Sequence, residues 1–156
     1  MKIKTAKQKN CADCGPTSLK MLSDYFNLGY SYKELAKMSN YTREEGMTTD
    51  KMIRTIEKMG LRVQAKHGNS WDNLNNKNTP ENVIILLWMY NGYIEHYSVL
   101  EKVTEKRIYY ADPYLGKIDW AKKHFFLKMW HNYKDFKYPT KSSDMQLRWM
   151  AVVSKK

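Results

Sequence analysis

Between residues 16 and 27 apolar side chains return every three or four positions, at Leu19, Leu22, Tyr25 and Phe26, which is the spacing of one helix face. Pro16 suits a first helical turn and Gly29 an exit, so the pattern predicts a helix beginning just after Cys14. Ser31 with Glu34 three residues on makes a capping box before Leu35 and Met38. Thr48 or Thr49 can cap a third helix carrying Met52, Ile53, Ile56 and Met59 up to Gly60, and Trp71 with Leu74 marks a short helix over 69–76. Beyond Gly60 the period shortens to two. Residues 61–65 alternate, 82–89 read as a buried strand, and Asn91-Gly92 predicts a hairpin into a strand over 93–103. A turn at Glu105-Lys106 leads to a strand over 107–111, ended by Asp112-Pro113, which closes a meander of adjacent antiparallel strands. Asp119 is placed to cap a helix with Phe125, Phe126 and Met129, and 146–153 alternates as a final strand. Helices first and strands afterwards define an α+β class, N-terminal helices packed on an antiparallel sheet.

The chain has 156 residues, the size of one ordinary domain, so 1–156 is expected to be a single domain whose functional residues belong to one site. Its longest strongly apolar run, 83–89, is too short for a membrane span, and the N-terminus has no apolar signal core. The expected location is cytoplasmic. Two cysteines in such a chain argue for reduced thiols rather than a disulfide scaffold. The net charge of +11 attracts polyanions, yet the lysines are scattered and no recognition helix or ribonucleoprotein motif accompanies them. A solvated basic surface that draws an acidic partner is the better reading, with no specific nucleic acid. His67, His96, His124 and His131 show no metal-ligand spacing, and the aromatic and methionine positions ask for core packing rather than a cofactor.

The stretch QKNCADCGPTSLKML, residues 8–22, carries the candidate chemistry. A thiol at a helix N-terminus sits near unpaired N–H groups and the positive end of the dipole, which favour thiolate. Taken alone, Cys14 reads as a small buried side chain, His96 as a sheet histidine and Asp112 as a turn residue. Their company changes that: His96 and Asp112 fall on strands joined by a tight turn, and can face the start of the helix with Cys14. That is the geometry of a Cys-His-Asp triad, in which the histidine moves the proton and the carboxylate orients the ring.

Gln8, five intervening residues, Asp13-Cys14-Gly15-Pro16 and a helix with Leu19, Met21 and Leu22 resemble the opening motif of the C39 peptidases, the papain-like cysteine proteases known as leader-processing domains of bacteriocin ABC exporters. EHYSVLEKV resembles that family's histidine strand, and YYADPYLGKIDWAKKHFFLKMW its aspartate-proline segment. The resemblance runs from Gln8 to Trp130. It implies a papain-like fold, with Cys14 as nucleophile, His96 as general base and acid, Asp112 as orienter and Gln8 as oxyanion-hole donor. It also implies a peptide or protein substrate, cleaved after a double glycine in typical members, no cofactor, and a separate ABC exporter as a candidate partner of a stand-alone domain. Isopeptide cleavage and acyl transfer are compatible with the same triad, and a catalytically inactive module that binds a peptide or partner protein is the alternative. Glu95 stands where the family commonly has glycine, and strand alternation points it away from His96. Cys11 reads as a loop residue near the site rather than as half of a redox or zinc motif; its proximity also makes it a candidate to trap Cys14 in a reversible disulfide.

Overall fold

A computed structural model describes residues 2–92 and 94–156. The helix that begins the ordered pattern is α1, Cys14–Tyr25, so Cys14 is its first residue rather than the residue before it. It is followed by α2 (Tyr32–Ser39) and α3 (Thr49–Lys58). Ser31 and Glu34 form the expected capping box, and Thr48 rather than Thr49 caps α3. The chain then alternates through β1 (Leu61–Lys66), α4 (Trp71–Lys77), β2 (Asn82–Met89), β3 (Glu95–Val103), β4 (Arg107–Asp112), β5 (Lys117–Lys122) and α5 (Lys123–Met129). It ends with β6 (His131–Tyr133), β7 (Met145–Leu147) and β8 (Met150–Lys155).

Six strands form one antiparallel sheet in the order β1-β8-β2-β3-β4-β5. The meander foreseen from 82 to 111 is its centre, and β6 and β7 make a small separate ribbon. β2 is buried on both faces, as its unbroken apolar run requires. Val83, Ile85, Leu87, Tyr97, Val99 and Ala151 turn toward the helices, where they meet Leu19, Leu22, Leu35, Met52 and Ile56. Ile84, Leu86, Trp88, Leu100 and Tyr110 turn to the other face and pack with Leu74 of α4 and Phe126 of α5. Trp88 is the centre of that second cluster, with Tyr90, Tyr110 and Phe126 at ring-centroid distances of 5.4, 5.2 and 5.2 Å and its indole N–H donated to Ser98.

Three expectations are corrected. Asp119 caps nothing: it lies within β5, paired with Tyr110, and α5 starts at Lys123. The cause is the turn after Asp112, where Gly116 adopts a φ of 70° and donates its N–H to Asp112 O, reversing the chain into another hairpin. The final strand is also broken. Arg148, with a φ of 57° and its N–H bonded to Trp130 O, redirects the chain and separates β7 from β8. The strand expected over 93–103 starts at Glu95, and its first expected residue, Tyr93, lies outside the described residues.

Gly15 sets how closely α1 approaches Met47: a Cβ built there would stand 2.7 Å from Met47 Cβ. Because that neighbour is fixed to backbone, overpacking of about 1–3 kcal/mol outweighs the helix-propensity gain of at most about 1 kcal/mol. Gly15→Ala is therefore expected to lower the urea midpoint at unchanged m-value, and parental stability would contradict this packing.

Candidate active site

The site is built from the N-terminal arm, the start of α1 and the ends of β3 and β4. Ile3 is buried and donates its N–H to the Glu101 carboxylate, which ties the arm to β3. Five residues on, Gln8 donates its N–H to Pro113 O at 2.8 Å. A Cβ on Gly116 would lie 2.7 Å from Lys7 Cβ, so the arm crosses directly over the Asp112 turn. Asn10 then closes the approach to the helix: its O accepts from Gln8 Nε2 and Asp13 N–H, and its Oδ1 accepts from Ala12 N–H. Asp13 is buried at the cap position and accepts a hydrogen bond from the Tyr41 hydroxyl, which anchors the turn to the segment after α2. Cys14, 8% exposed, follows at the start of the helix.

His96 pairs with Trp88 across the β2–β3 ladder, and its neighbour strand β4 ends at Asp112. His96 Nε2 lies 2.8 Å from Asp112 Oδ1, and both side chains are buried. The same oxygen accepts the Tyr114 N–H, also at 2.8 Å. With Nε2 turned to the carboxylate, the other ring nitrogen, Nδ1, is left for Cys14, whose thiol lies close enough to act on the ring. Burial alone would suppress protonation of the ring. The hydrogen bond to Asp112, the nearby Cys14 thiol and the charges of both overcome it and bring His96 up to about 9. For Asp112 burial acts in the opposite sense, but the hydrogen bond and charge of His96, with the Tyr90 hydroxyl and Tyr114 N–H, hold its carboxyl below the usual range.

Cys14, His96 and Asp112 are thus brought together. Gln8 lines a cavity of about 140 Å³ with His96, Cys11, Tyr90, Asn91, Ile94 and Tyr114. Its amide orientation is fixed, because only the NH2 can donate to Asn10 O, and its second amide hydrogen is left for another acceptor. Cys14 lines a larger cavity of about 270 Å³, whose walls include Met47, Tyr97 and Phe136 together with the charged residues Arg43, Glu44, Glu45 and Glu95. Cys11, exposed, and Ile94 border both cavities. Glu95 points away from His96 as alternation requires, and accepts the Tyr133 N–H at 2.8 Å. No group of three or more metal-ligating side chains occurs among the described residues.

Tyr90 is the residue that sequence reasoning missed. Its ring lies against His96, tilted by 46° with the centroids 4.7 Å apart, and its hydroxyl lies beside Asp112. An aromatic at the end of an apolar strand is indistinguishable in sequence from a core residue; the only available signal was its place immediately before Asn91-Gly92, at the mouth of the hairpin that bears His96.

The fold and this arrangement define a papain-like peptidase architecture, and comparison with known proteins places it. The chain belongs to the peptidase C39 family, whose family model matches residues 2–139, and it is a cysteine peptidase. Among solved structures it is similar to the peptidase domain of Streptococcus ComA, a bi-functional ABC transporter of a quorum-sensing pathway, with 17% identity, a TM-score of 0.76, and 99% of this chain and 100% of that one covered. It is also similar to a double glycine motif protease from an AMS/PCAT transporter in complex with its leader peptide, with 18% identity, a TM-score of 0.70, and coverage of 99% and 93%. The N-terminal C39-like domain of a Vibrio parahaemolyticus toxin secretion ATP-binding protein matches at 16% identity and a TM-score of 0.58, covering 92% of this chain and 98% of that one. No curated protein matches the sequence significantly.

The electrostatics are testable directly. His96 should titrate by NMR well above an ordinary imidazole, with its midpoint near 9. Asp112→Asn removes the largest of the effects that favour the imidazolium while leaving the burial, so the midpoint should fall; an unchanged midpoint would refute the pairing.

Proposed function

We propose that the protein hydrolyses a peptide bond through Cys14, His96 and Asp112, with Gln8 in the oxyanion hole, and that it removes a leader peptide after a double glycine. The observation that carries the reading is the His96 Nε2 contact to Asp112 Oδ1 at 2.8 Å, with Cys14 on the remaining side of the ring at the start of α1. His96 takes the thiol proton and Asp112 holds the ring so that Nδ1 stays with Cys14. The thiolate attacks the scissile carbonyl. The free amide hydrogen of Gln8 and the N-terminal N–H groups of α1 receive the oxyanion, a contribution of about 3 kcal/mol for one such donor. His96, now imidazolium, protonates the leaving amine as the tetrahedral species collapses to a thioester. Water, deprotonated by the same imidazole, then releases the leader carboxylate and restores the thiol.

The double-glycine part of the reading is supported by the likeness to the protease crystallised with its leader peptide. On this reading the site acts in the cytoplasm on a peptide that an ABC exporter then moves. No helix of the described residues is long and apolar enough to cross a membrane.

The test is cleavage of a synthetic precursor with a Gly-Gly leader junction, with products identified by mass spectrometry. The parent should cut after the second glycine. Cys14→Ala and His96→Ala should abolish turnover with the fold retained, and Gln8→Ala should lower kcat about 10²- to 10³-fold. Activity should decline as pH rises through about 9, where His96 loses the proton it must give to the leaving group. Full activity of Cys14→Ala, or peptide binding without cleavage by the parent, would refute the assignment, the latter in favour of a binding module.

A further inference from the structure

Tyr90 directly follows β2 and donates its N–H to Ile94 O at 3.1 Å, at the base of the turn into β3. Its ring returns over the site. The Tyr90 and His96 centroids are 4.7 Å apart at an interplanar angle of 46°, and the Tyr90 ring also meets the fully buried Trp88 at 5.4 Å, nearly edge-on. Its hydroxyl faces the Asp112 carboxylate. The two oxygens of that carboxylate differ: Oδ1 accepts from both His96 Nε2 and Tyr114 N–H, whereas Oδ2 is buried without a hydrogen bond of ordinary geometry among the described residues. One side chain therefore reaches both members of the pair. It also forms part of the wall of the 140 Å³ cavity through which solvent would approach them.

We propose that Tyr90 is a positioning residue for the proton-transfer pair: its ring fixes the plane of the His96 imidazole and screens the His96–Asp112 hydrogen bond from water, and its hydroxyl orients the carboxylate so that Oδ1 meets Nε2. The inference rests on the Cys14-His96-Asp112 reading and adds a residue that acts through it. A charge-assisted hydrogen bond gains strength where water is excluded and loses it where the local dielectric rises. An imidazole free to turn about its side-chain bonds also loses the alignment of Nδ1 with the thiol, and a misplacement of about 1 Å is worth about 10²-fold in rate. His96 is faced by Cys14 from α1 and by Asp112 from β4, while Tyr90 is itself faced by Asp112, Asp119 and Tyr114. A change in His96 titration on altering Tyr90 thus reports on the pair beneath the ring.

The experiment compares the parent with Tyr90→Phe and Tyr90→Leu, using a fluorogenic amide on a synthetic leader peptide ending in Gly-Gly. It records kcat and KM across pH together with the downfield proton resonance of the His96–Asp112 hydrogen bond. Tyr90→Leu is expected to lower kcat about 30-fold or more with KM within about twofold, to move the basic limb toward that of an ordinary imidazole, and to speed exchange of the downfield proton. Tyr90→Phe keeps the ring, so most of kcat should return; the resonance should persist but shift, because the hydroxyl that faces the carboxylate is gone. A rise in KM at unchanged kcat and basic limb would make Tyr90 a substrate-wall residue and overturn the proposal, as would parental behaviour in Tyr90→Leu. Should Tyr90→Leu fail to fold, an unshifted resonance in Tyr90→Phe overturns it on its own. A parent with neither cleavage nor the resonance overturns the triad reading and this inference with it, whereas parental values in the variants overturn the inference alone.

Discussion

The turn from Asp112 to Gly116 makes four connections at once, and the geometry of the site follows from them. Its first residue gives Oδ1 to His96 and to the Tyr114 N–H, its second gives a backbone oxygen to Gln8, and its last reverses the chain into β5 while leaving space for Lys7. The proline gives the turn a fixed φ. The glycine supplies a positive φ and lacks the Cβ that would collide with the arm. A loop of five residues therefore sets the distance between the histidine's carboxylate and the amide carried by the arm, although these groups lie about a hundred residues apart in the chain.

Burial makes this arrangement both effective and demanding. An isolated ion removed from water costs several kcal/mol, and breaking one partner of a buried pair costs about 3–5 kcal/mol. Asp112 is fully buried and His96 nearly so, so each depends on the other for its charge to be tolerated. The opposed shifts, His96 up to about 9 and Asp112 downward, are two views of that dependence. The surrounding rigidity comes from packing rather than from charge. Trp88 and its aromatic neighbours brace one face of the sheet beside His96, and the contact between Gly15 and Met47 holds the start of α1 on the other.

Much of this was legible in the sequence, and for physical reasons. Helix and strand periods differ, so the change at Gly60 was visible, and local caps such as Ser31 with Glu34 depend only on neighbours in the chain. His96 and Asp112 could be joined because a hairpin brings nearby strands side by side, and Cys14 joined them through the resemblance of its motif to the opening of the C39 peptidases. What remained hidden depends on contacts between distant segments. Asp119 reads as a helix cap until the Gly116 turn places it opposite Tyr110 in a strand, and Arg148 breaks the last strand through a bond to Trp130 that no local pattern encodes. Tyr90 and Asp13 look like ordinary core and motif residues; only the folded chain shows one lying over His96 and the other bonded to Tyr41.

The central claim is that Cys14 and His96 act as a pair, and the rate of Cys14 alkylation by iodoacetamide tests it most directly. The labelled residue would be read by mass spectrometry in the parent and in His96→Ala, at a pH about two units below the range where an ordinary thiol reacts. The account predicts rapid labelling of Cys14 in the parent, a large loss of that rate without His96, and slow labelling of Cys11 in both. Equal and slow labelling of Cys14 in the two proteins would contradict it.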